Sequence, residues 1–197
     1  MGTLRANLVL SDDRVALHPL SLAHVHTHFR WNNDEELNRL DSEAPFERES
    51  FGAFLRRFEA MVERPPAGTL DLEIHTRDGS LVGVAYVDHL CASNRHARVG
   101  VTIGDRHRWR QGFGSAALRL LLHHLFGERG LHRVTAQVVG FNEGGHRLVQ
   151  RLGFTEEGRI RDHLHRDGRF WDQHLYGLLR SEFDAAEAAS WVRAAAA

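Results

Sequence analysis

Arg106–Gly130 reads RHRWRQGFGSAALRLLLHHLFGERG, and the interpretation of this stretch decides the fold. Leu118, Leu121, Leu122 and Leu125 recur at the spacing of a helix with one buried face. The pattern stops before Gly127 and Gly130, residue types that end helices. Upstream, Arg98–Ile103 (RVGVTI) has the composition of a strand. Between the two, Gly112-Phe113-Gly114 makes a strand-to-helix turn with Ser115 at the junction. The first N–H groups of a helix lack an internal partner and carry the positive end of its dipole. Glycines at 112 and 114 let a ligand approach that backbone, and Arg106, Arg108 and Arg110 add charge, a setting suited to phosphate or pyrophosphate. No Lys-Ser or Lys-Thr follows the second glycine, so a Walker-type loop is excluded. Ala117 completes a dinucleotide-like spacing, but behind what would be the fourth strand rather than the first. As a bare pattern, Gly-x-Gly marks a tight connection as readily as a ligand site.

The following 40 or so residues change the balance. Arg133–Val139 (RVTAQVV) reads as a buried strand. Asn142 follows, then a helical run to Leu152 ending at Gly153-Phe154. In this order and spacing, Trp109-Arg-Gln-Gly-Phe-Gly114 and Asn142-Glu-Gly-Gly-His-Arg-Leu148 through Leu152-Gly-Phe154 resemble the paired motifs of the GCN5-related N-acetyltransferases. Glu157–Glu182 is similar to the closing hairpin of one branch, the ribosomal-protein N-terminal acetyltransferases (RimJ/RimL-like), and the resemblance covers residues 10–183.

The resemblance implies an α/β (α+β) fold: a mixed, mostly antiparallel seven-stranded sheet with flanking helices and a splayed central strand pair. It implies an acetyl-CoA-dependent N-acetyltransferase domain over 10–183, followed by an Ala-rich tail, 184–197. Acetyl-CoA would lie between Arg98–Ile103 and Arg133–Val139. Val101, Thr102 and Ile103 would bond its pantetheine arm. Arg108, Arg110, Gln111, Gly112, Phe113, Gly114 and Ser115 would hold its pyrophosphate, and Asn142 would bond the pantetheine or position the helix behind the thioester. A neutral primary amine, of a protein N-terminus or a small molecule, would attack the thioester directly. The Val101 amide would polarise its carbonyl. The early helices would line the acceptor groove, with Trp31, Asp34 and Phe46 as substrate contacts; Asp34, Glu35, Glu36 or Glu43 could attract a cationic acceptor. Members of the branch often dimerise, so a homodimer is implied.

Three positions depart from the family pattern. Val149 stands where many members carry a Tyr, Gly145 where the branch carries a Ser, and Arg98 where the branch often has a carboxylate. No proton-transfer group is therefore assigned by motif. Asp162, His163, His165, His89 and His96 are candidates for the base; His163 is the one selected, because imidazole titrates near neutrality. A competing function is a CoA-binding sensor or partner module without turnover, favoured by Val149 and Gly145. A nucleotide enzyme is disfavoured by the missing phosphate-binding Lys.

Composition sets the outer limits. The 197 residues suit one domain with a substantial core, and a formal charge of −1 argues against a general nucleic-acid binder. Every basic side chain is Arg. A single cysteine, Cys91, excludes an internal disulfide. No apolar run reaches the roughly 18 residues of a membrane span, and Met1–Asp13 lacks a signal-peptide layout, so a cytoplasmic protein is expected. The 15 histidines include His24-x-His26-x-His28, yet no set has a Cys partner or a His-Glu-x-x-His frame, and no metal is expected.

The remaining elements follow from local signals. Val15–Pro19 reads as the first strand. Leu20–Leu40 reads as one or two helices, with Ser21 as a cap and a break at Trp31–Asp34. Ser50–Glu63 is an amphipathic helix with Phe51, Phe54, Leu55 and Phe58 on its apolar stripe. Leu70–His75 and Leu81–His89 form a hairpin around Asp78-Gly79, His96–Gly104 continues the meander, and Asp167-Gly168 closes the last hairpin.

Overall fold

The computed structural model describes residues 8–195, with side-chain surroundings as far as residue 188. The chain divides into two compact units, Met1–Asp88 with Gly100–Leu121 and His89–Val99 with Leu122–Ala197.

The first unit contains β1 (Leu10–Ser11), β2 (Val15–Pro19), β3 (Leu70–Thr76), the larger part of β4 (Leu81–Cys91) and the second half of β5 (His96–Ile103). β1 to β4 are antiparallel neighbours in chain order. The Asp78-Gly79 turn forms because Gly79 adopts φ +82°, which a residue with Cβ resists, and because the Asp78 carboxylate accepts from Ser80 N–H. Leu70, Leu72 and Ile74 project to one side of β3 and are buried. Glu73, opposite His18 in the β2 register and Val84 in the β4 register, projects to the other.

That second face is covered by helices. Ser21 caps a short 3-10 turn, Leu22–His24, which leads into α1 (Val25–Asn32). α1 stops at Asn33 because Asp34 takes an extended conformation, and its carboxylate accepts from Glu36 and Leu37 N–H to start α2 (Glu35–Asp41). The helical run expected over Leu20–Leu40 is thus divided by a cap. α3 (Phe51–Glu63) begins at Ser50, whose hydroxyl accepts from Ala53 N–H. Phe54 and Phe58 on its stripe pack with Leu20 and Val25, against Phe29, Phe51, Leu55 and Val84. Burial of each ring contributes about 1.5–3 kcal/mol.

Gly83 of β4 fits its place sterically: a Cβ there would lie 2.3 Å from the Thr102 carbonyl oxygen of β5. The two backbones approach too closely for any side chain. α4 (Phe113–His123) opens in this unit, with the first intrahelical bond from Ala116 N–H to the Gly112 carbonyl, and continues through wider π-type turns at His124–Glu128.

In the second unit β6 (Arg133–Val139) runs parallel to the start of β5, with His96, Ala97 and Arg98 opposite Arg133, Val134 and Thr135. Among the described residues, that pairing ends at Arg98/Thr135. β8 (Arg169–Leu179) is antiparallel to β6 along its whole length, and β7 (Thr155–Arg166) is antiparallel to β8. α5 (Glu143–Arg151) lies between β6 and β7 in the chain. α6 (Arg180–Ala195) begins where the Leu179 N–H donates to Glu182, and Phe183 packs against His123 and Phe126.

The architecture is the mixed α/β one expected, with eight strands among the described residues rather than seven. The addition is β1, two residues paired to β2. The boundary expected between 183 and 184 falls inside α6, and the Trp191 side chain lies outside the described residues. Among the described residues no helix is long and apolar enough to cross a membrane.

Candidate active site

The turn before α4 is built by several local decisions. Asp105 accepts from His107 N–H and starts a 3-10 turn, Arg106–Arg108. The Trp109 indole donates to the Ile103 carbonyl at 2.7 Å, tying the turn back to β5. Arg110 and Gly112 take φ values of +61° and +85°, reversing the chain so that the amides at the start of α4 come forward. The Gln111 side chain folds back onto the His107 carbonyl at 2.7 Å instead of across those amides. Phe113, Gly114 and Ser115 are partly exposed. With the first helical bond made by Ala116, their N–H groups are the orphan donors of the helix start.

The charge around this turn is distributed differently from the sequence expectation. Arg106 faces α2, paired with Asp34 and, at 2.7 Å, with Glu36. Arg108 sits 3.9 Å from Asp105, and Arg110 is exposed. Arg14, which no motif marks, donates to the Gln111 carbonyl at 2.5 Å, and its guanidinium lies 3.0 Å from where a Gly112 Cβ would stand. It also lies 5.9 Å from the centre of the Phe113 ring.

β5 separates two environments. On one face Val101 and Ile103 approach Gly114 of α4; a Cβ there would meet their side chains at 3.6–3.9 Å, an ordinary contact. On the other face Gly100, Thr102 and Gly104 alternate. A Cβ at Gly100 would lie 2.2 Å from the Tyr86 ring, and one at Gly104 would lie 2.1 Å from the Trp31 ring. Both aromatic rings therefore rest directly on the strand backbone. Between those glycines the Thr102 hydroxyl donates to Asp41 at 2.7 Å, and the Tyr86 hydroxyl reaches the same carboxylate at a long 3.5 Å.

Asp41, at the end of α2, is exposed, and its carboxylate accepts from both of these hydroxyls. Desolvation raises its pKa, against the lowering effect of the Thr102 and Tyr86 hydroxyls. A carboxylate so placed among aromatic rings can receive an ammonium group and accept its proton. No motif marks Asp41. The available signal was the pair of glycines four residues apart within a strand, flanking a hydroxyl, since glycine in a strand often marks a close approach by another group.

The other expected acceptor contacts are dispersed. Trp31 lies on Gly104 as described, while the carboxylate of Asp34 is occupied as the α2 cap and by Arg106. Those bonds, with the Arg106 hydrogen bond foremost, hold the Asp34 pKa below the usual carboxylate value despite desolvation. Phe46 lies half-buried in the irregular segment between α2 and α3.

In the second unit, Asn142 caps α5 by accepting from the Gly145 N–H at 2.8 Å. A Cβ at Gly145 would lie 2.9 Å from Val138, so the place of the family serine is already crowded. Val149 is buried. The hydroxyl near α5 comes instead from β8: Tyr176 lies 2.8 Å from His146 Nδ1, and His146 packs edge-on against His174. Desolvation, then the neighbouring His174, lowers the His146 pKa, while desolvation and Glu156 raise that of Tyr176. His163 is exposed on β7, beside the irregularity that separates Ile160 from Leu164 in the β8 register.

Comparison with known proteins adds the family context. The profile of the acetyltransferase (GNAT) domain matches residues 14–155. The chain is 31% identical over 100 residues to the uncharacterized N-acetyltransferase YoaA of Bacillus subtilis, covering 51% of this chain and 56% of that protein. It is 30% identical over 100 residues to the [ribosomal protein uS5]-alanine N-acetyltransferase of Escherichia coli, covering 50% of each. The chain thus spans about half the length of these curated relatives. Among solved structures, a spermidine N-acetyltransferase from Vibrio cholerae in complex with CoA and spermine is similar in fold, with a TM-score of 0.77, 19% identity, and coverage of 87% of this chain and 99% of that one.

Proposed function

Because this chain belongs to the acetyltransferase (GNAT) family, we propose that it moves an acetyl group from acetyl-CoA to a primary amine by direct attack on the thioester. The observation that carries this reading is the two-sided strand β5. One face adjoins the start of α4, and the other presents a carboxylate bonded to Thr102. In this reading the amides of Phe113, Gly114 and Ser115, with Arg108, Arg110, Gln111 and Gly112, hold the pyrophosphate. Val101, Thr102 and Ile103 bond the pantetheine arm through their backbone. The Val101 N–H polarises the thioester carbonyl. Asn142 acts indirectly, by fixing the start of α5.

The acceptor ammonium enters beside Trp31 and Tyr86 and loses its proton to Asp41. The freed amine then forms the new C–N bond as the C–S bond breaks, and the second proton of the attacking nitrogen passes to the departing sulfur, so CoA leaves as the thiol. Phe46 and Asp34 belong to the surrounding wall. His163 is the alternative base, distinguished by the variants described in the Discussion. A protein N-terminus is the favoured acceptor, in keeping with the E. coli relative named as a ribosomal-protein alanine N-acetyltransferase, and a small polyamine is the other. The reading extends to a cytoplasmic homodimer, as the branch resemblance implies.

The test is calorimetry with acetyl-CoA, followed by CoA-thiol release with an alanine-initiated peptide and with spermidine. Micromolar binding with release on either acceptor is the expected result. Binding without release on any amine would favour the sensor module. The Gly114→Ala variant sharpens this test. Its Cβ makes only ordinary contacts with Val101 and Ile103, so the melting temperature should hold. Acetyl-CoA affinity should fall by about tenfold, or about 1.4 kcal/mol, as the methyl group narrows the approach to the backbone. Unchanged affinity would move the donor away from this turn.

A further inference from the structure

A cluster of one carboxylate and several imidazoles lies on the helix-covered side of β3, outside the residues assigned above to acyl transfer. The Glu73 side chain is 1% exposed and is surrounded by imidazoles. Its Oε1 accepts from the Ser21 N–H at 3.0 Å and lies 2.9 Å from His28 Nε2. Its Oε2 lies 2.7 Å from His24 Nδ1 and 3.0 Å from His75 Nε2. His18, on the neighbouring strand, meets the His75 ring edge-on, with 5.1 Å between ring centres.

His75 carries the argument. Its Nδ1 lies 3.3 Å from the Gly79 carbonyl oxygen, which can only accept, and its Nε2 faces the Glu73 carboxylate. A neutral imidazole has one N–H and one lone pair. With the N–H given to Gly79, the lone pair would point at an anion. The other neutral tautomer gives the N–H to Glu73 and turns the Nδ1 lone pair toward the Gly79 oxygen, so each leaves one ring lone pair facing an oxygen; a metal ion on Nε2 would take up that lone pair while Nδ1–H keeps the Gly79 carbonyl.

We propose that His24 Nδ1, Glu73 Oε2 and His75 Nε2 bind a divalent transition-metal ion, with zinc as the reference ion. The three atoms lie within 4.8 Å of one another. Metal–ligand bonds of about 2.0–2.1 Å require ligand atoms about 3.3 Å apart; His24 Nδ1, at 2.7 Å, would part from Oε2 by about 0.6 Å and His75 Nε2, at 3.0 Å, by about 0.3 Å, with the two nitrogens drawing in from a separation of at most 4.8 Å. Two nitrogens and one carboxylate oxygen favour zinc and its neighbours over calcium or magnesium. The outer partners suit a metal site: the Gly79 carbonyl faces His75 Nδ1, while Ser21 N–H and His28 Nε2 adjoin the second carboxylate oxygen. His24, 37% exposed, supplies the entry path, and water can complete the coordination from that side.

Isothermal titration of EDTA-treated full-length protein with zinc chloride tests the proposal, with magnesium chloride as the control. The expected result is one zinc site that raises the melting temperature, with no response to magnesium. His24→Ala, which removes a half-exposed ligand, should weaken that site at least about tenfold, and His28→Gln should weaken it by a similar factor through the outer shell. Circular dichroism establishes that each variant is folded. Nitrogen-15 NMR gives a second readout: zinc should shift the His75 Nε2 signal to that of a metal-bound imidazole while Nδ1 stays protonated. Zinc uptake unchanged by His24→Ala, absence of uptake, or an imidazolium signal from His75 that persists in excess zinc would overturn the proposal and leave a proton as the bridging charge.

Discussion

Glu73→Ala in EDTA-treated protein is expected to lose about 3–5 kcal/mol of unfolding free energy, the usual cost of breaking a buried charged pair from one side. The side chain connects three pieces of the first unit: β3, the 3-10 turn at Leu22–His24, and α1. Burial by itself would raise the carboxyl pKa, but hydrogen bonds from His28, His75, Ser21 N–H and His24 reverse that and bring it to about 2. The group is thus an anion throughout the working range, and its removal leaves polar groups of His28, His75 and Ser21 without their acceptor. Glu73→Gln is the informative companion. Its amide keeps one acceptor oxygen but turns an NH2 group toward donors, so it should recover part of the loss and no more. Urea unfolding followed by circular dichroism measures both. A loss below about 1 kcal/mol for alanine, the worth of an ordinary hydrogen bond, would show that the network is incidental to stability.

Asp41→Asn should lower the turnover of the acceptor reaction by about 100-fold or more, the scale of a lost general base. Acetyl-CoA affinity should be unchanged, because the carboxylate bonds to the Thr102 side chain and leaves the backbone of β5 untouched. The pH dependence gives the sign. The base works only when ionised, so wild-type activity rises with pH as Asp41 loses its proton. Because its pKa is raised, that inflection lies above the ordinary carboxylate range. Asn has no such ionisation, and the inflection should vanish. His163→Gln is the parallel measurement. Should the histidine variant lose the inflection while Asp41→Asn retains it, the proton acceptor lies on β7 and the role of Asp41 is confined to binding.

Much of the fold was legible because local and tertiary preferences agree. β2, β6, α3 and the Asp78-Gly79 hairpin lie where hydrophobic period and turn chemistry put them. The missed strand, β1, is two residues long and has no periodicity to detect. The strand, glycine turn and helix proposed to receive the donor were legible for a similar reason: they are contiguous in the chain. The grouping of Asp41, Tyr86 and Thr102 was hidden because they come from distant segments and meet only after folding. The histidines show the same limit. The spacing of His24 and His28 was visible, but their shared partner lies on β3, 49 and 45 residues away. Arg106 illustrates the opposite error: its proximity to the turn was visible, but its commitment to α2 was not.

The two rings closely packed on the backbone at Gly100 of β5 and at Gly104 just beyond it constrain how this molecule can change over time. Gly100 cannot acquire a side chain while Tyr86 keeps its place, and Gly104 cannot do so beneath Trp31. Each is a lock whose halves must be exchanged together, so mutational drift at either glycine has to pass through loss of its aromatic. Homologous lineages should therefore show 86 with 100, and 31 with 104, varying as couples; an alignment rich in bulky residues at 100 opposite a retained aromatic at 86 would contradict this.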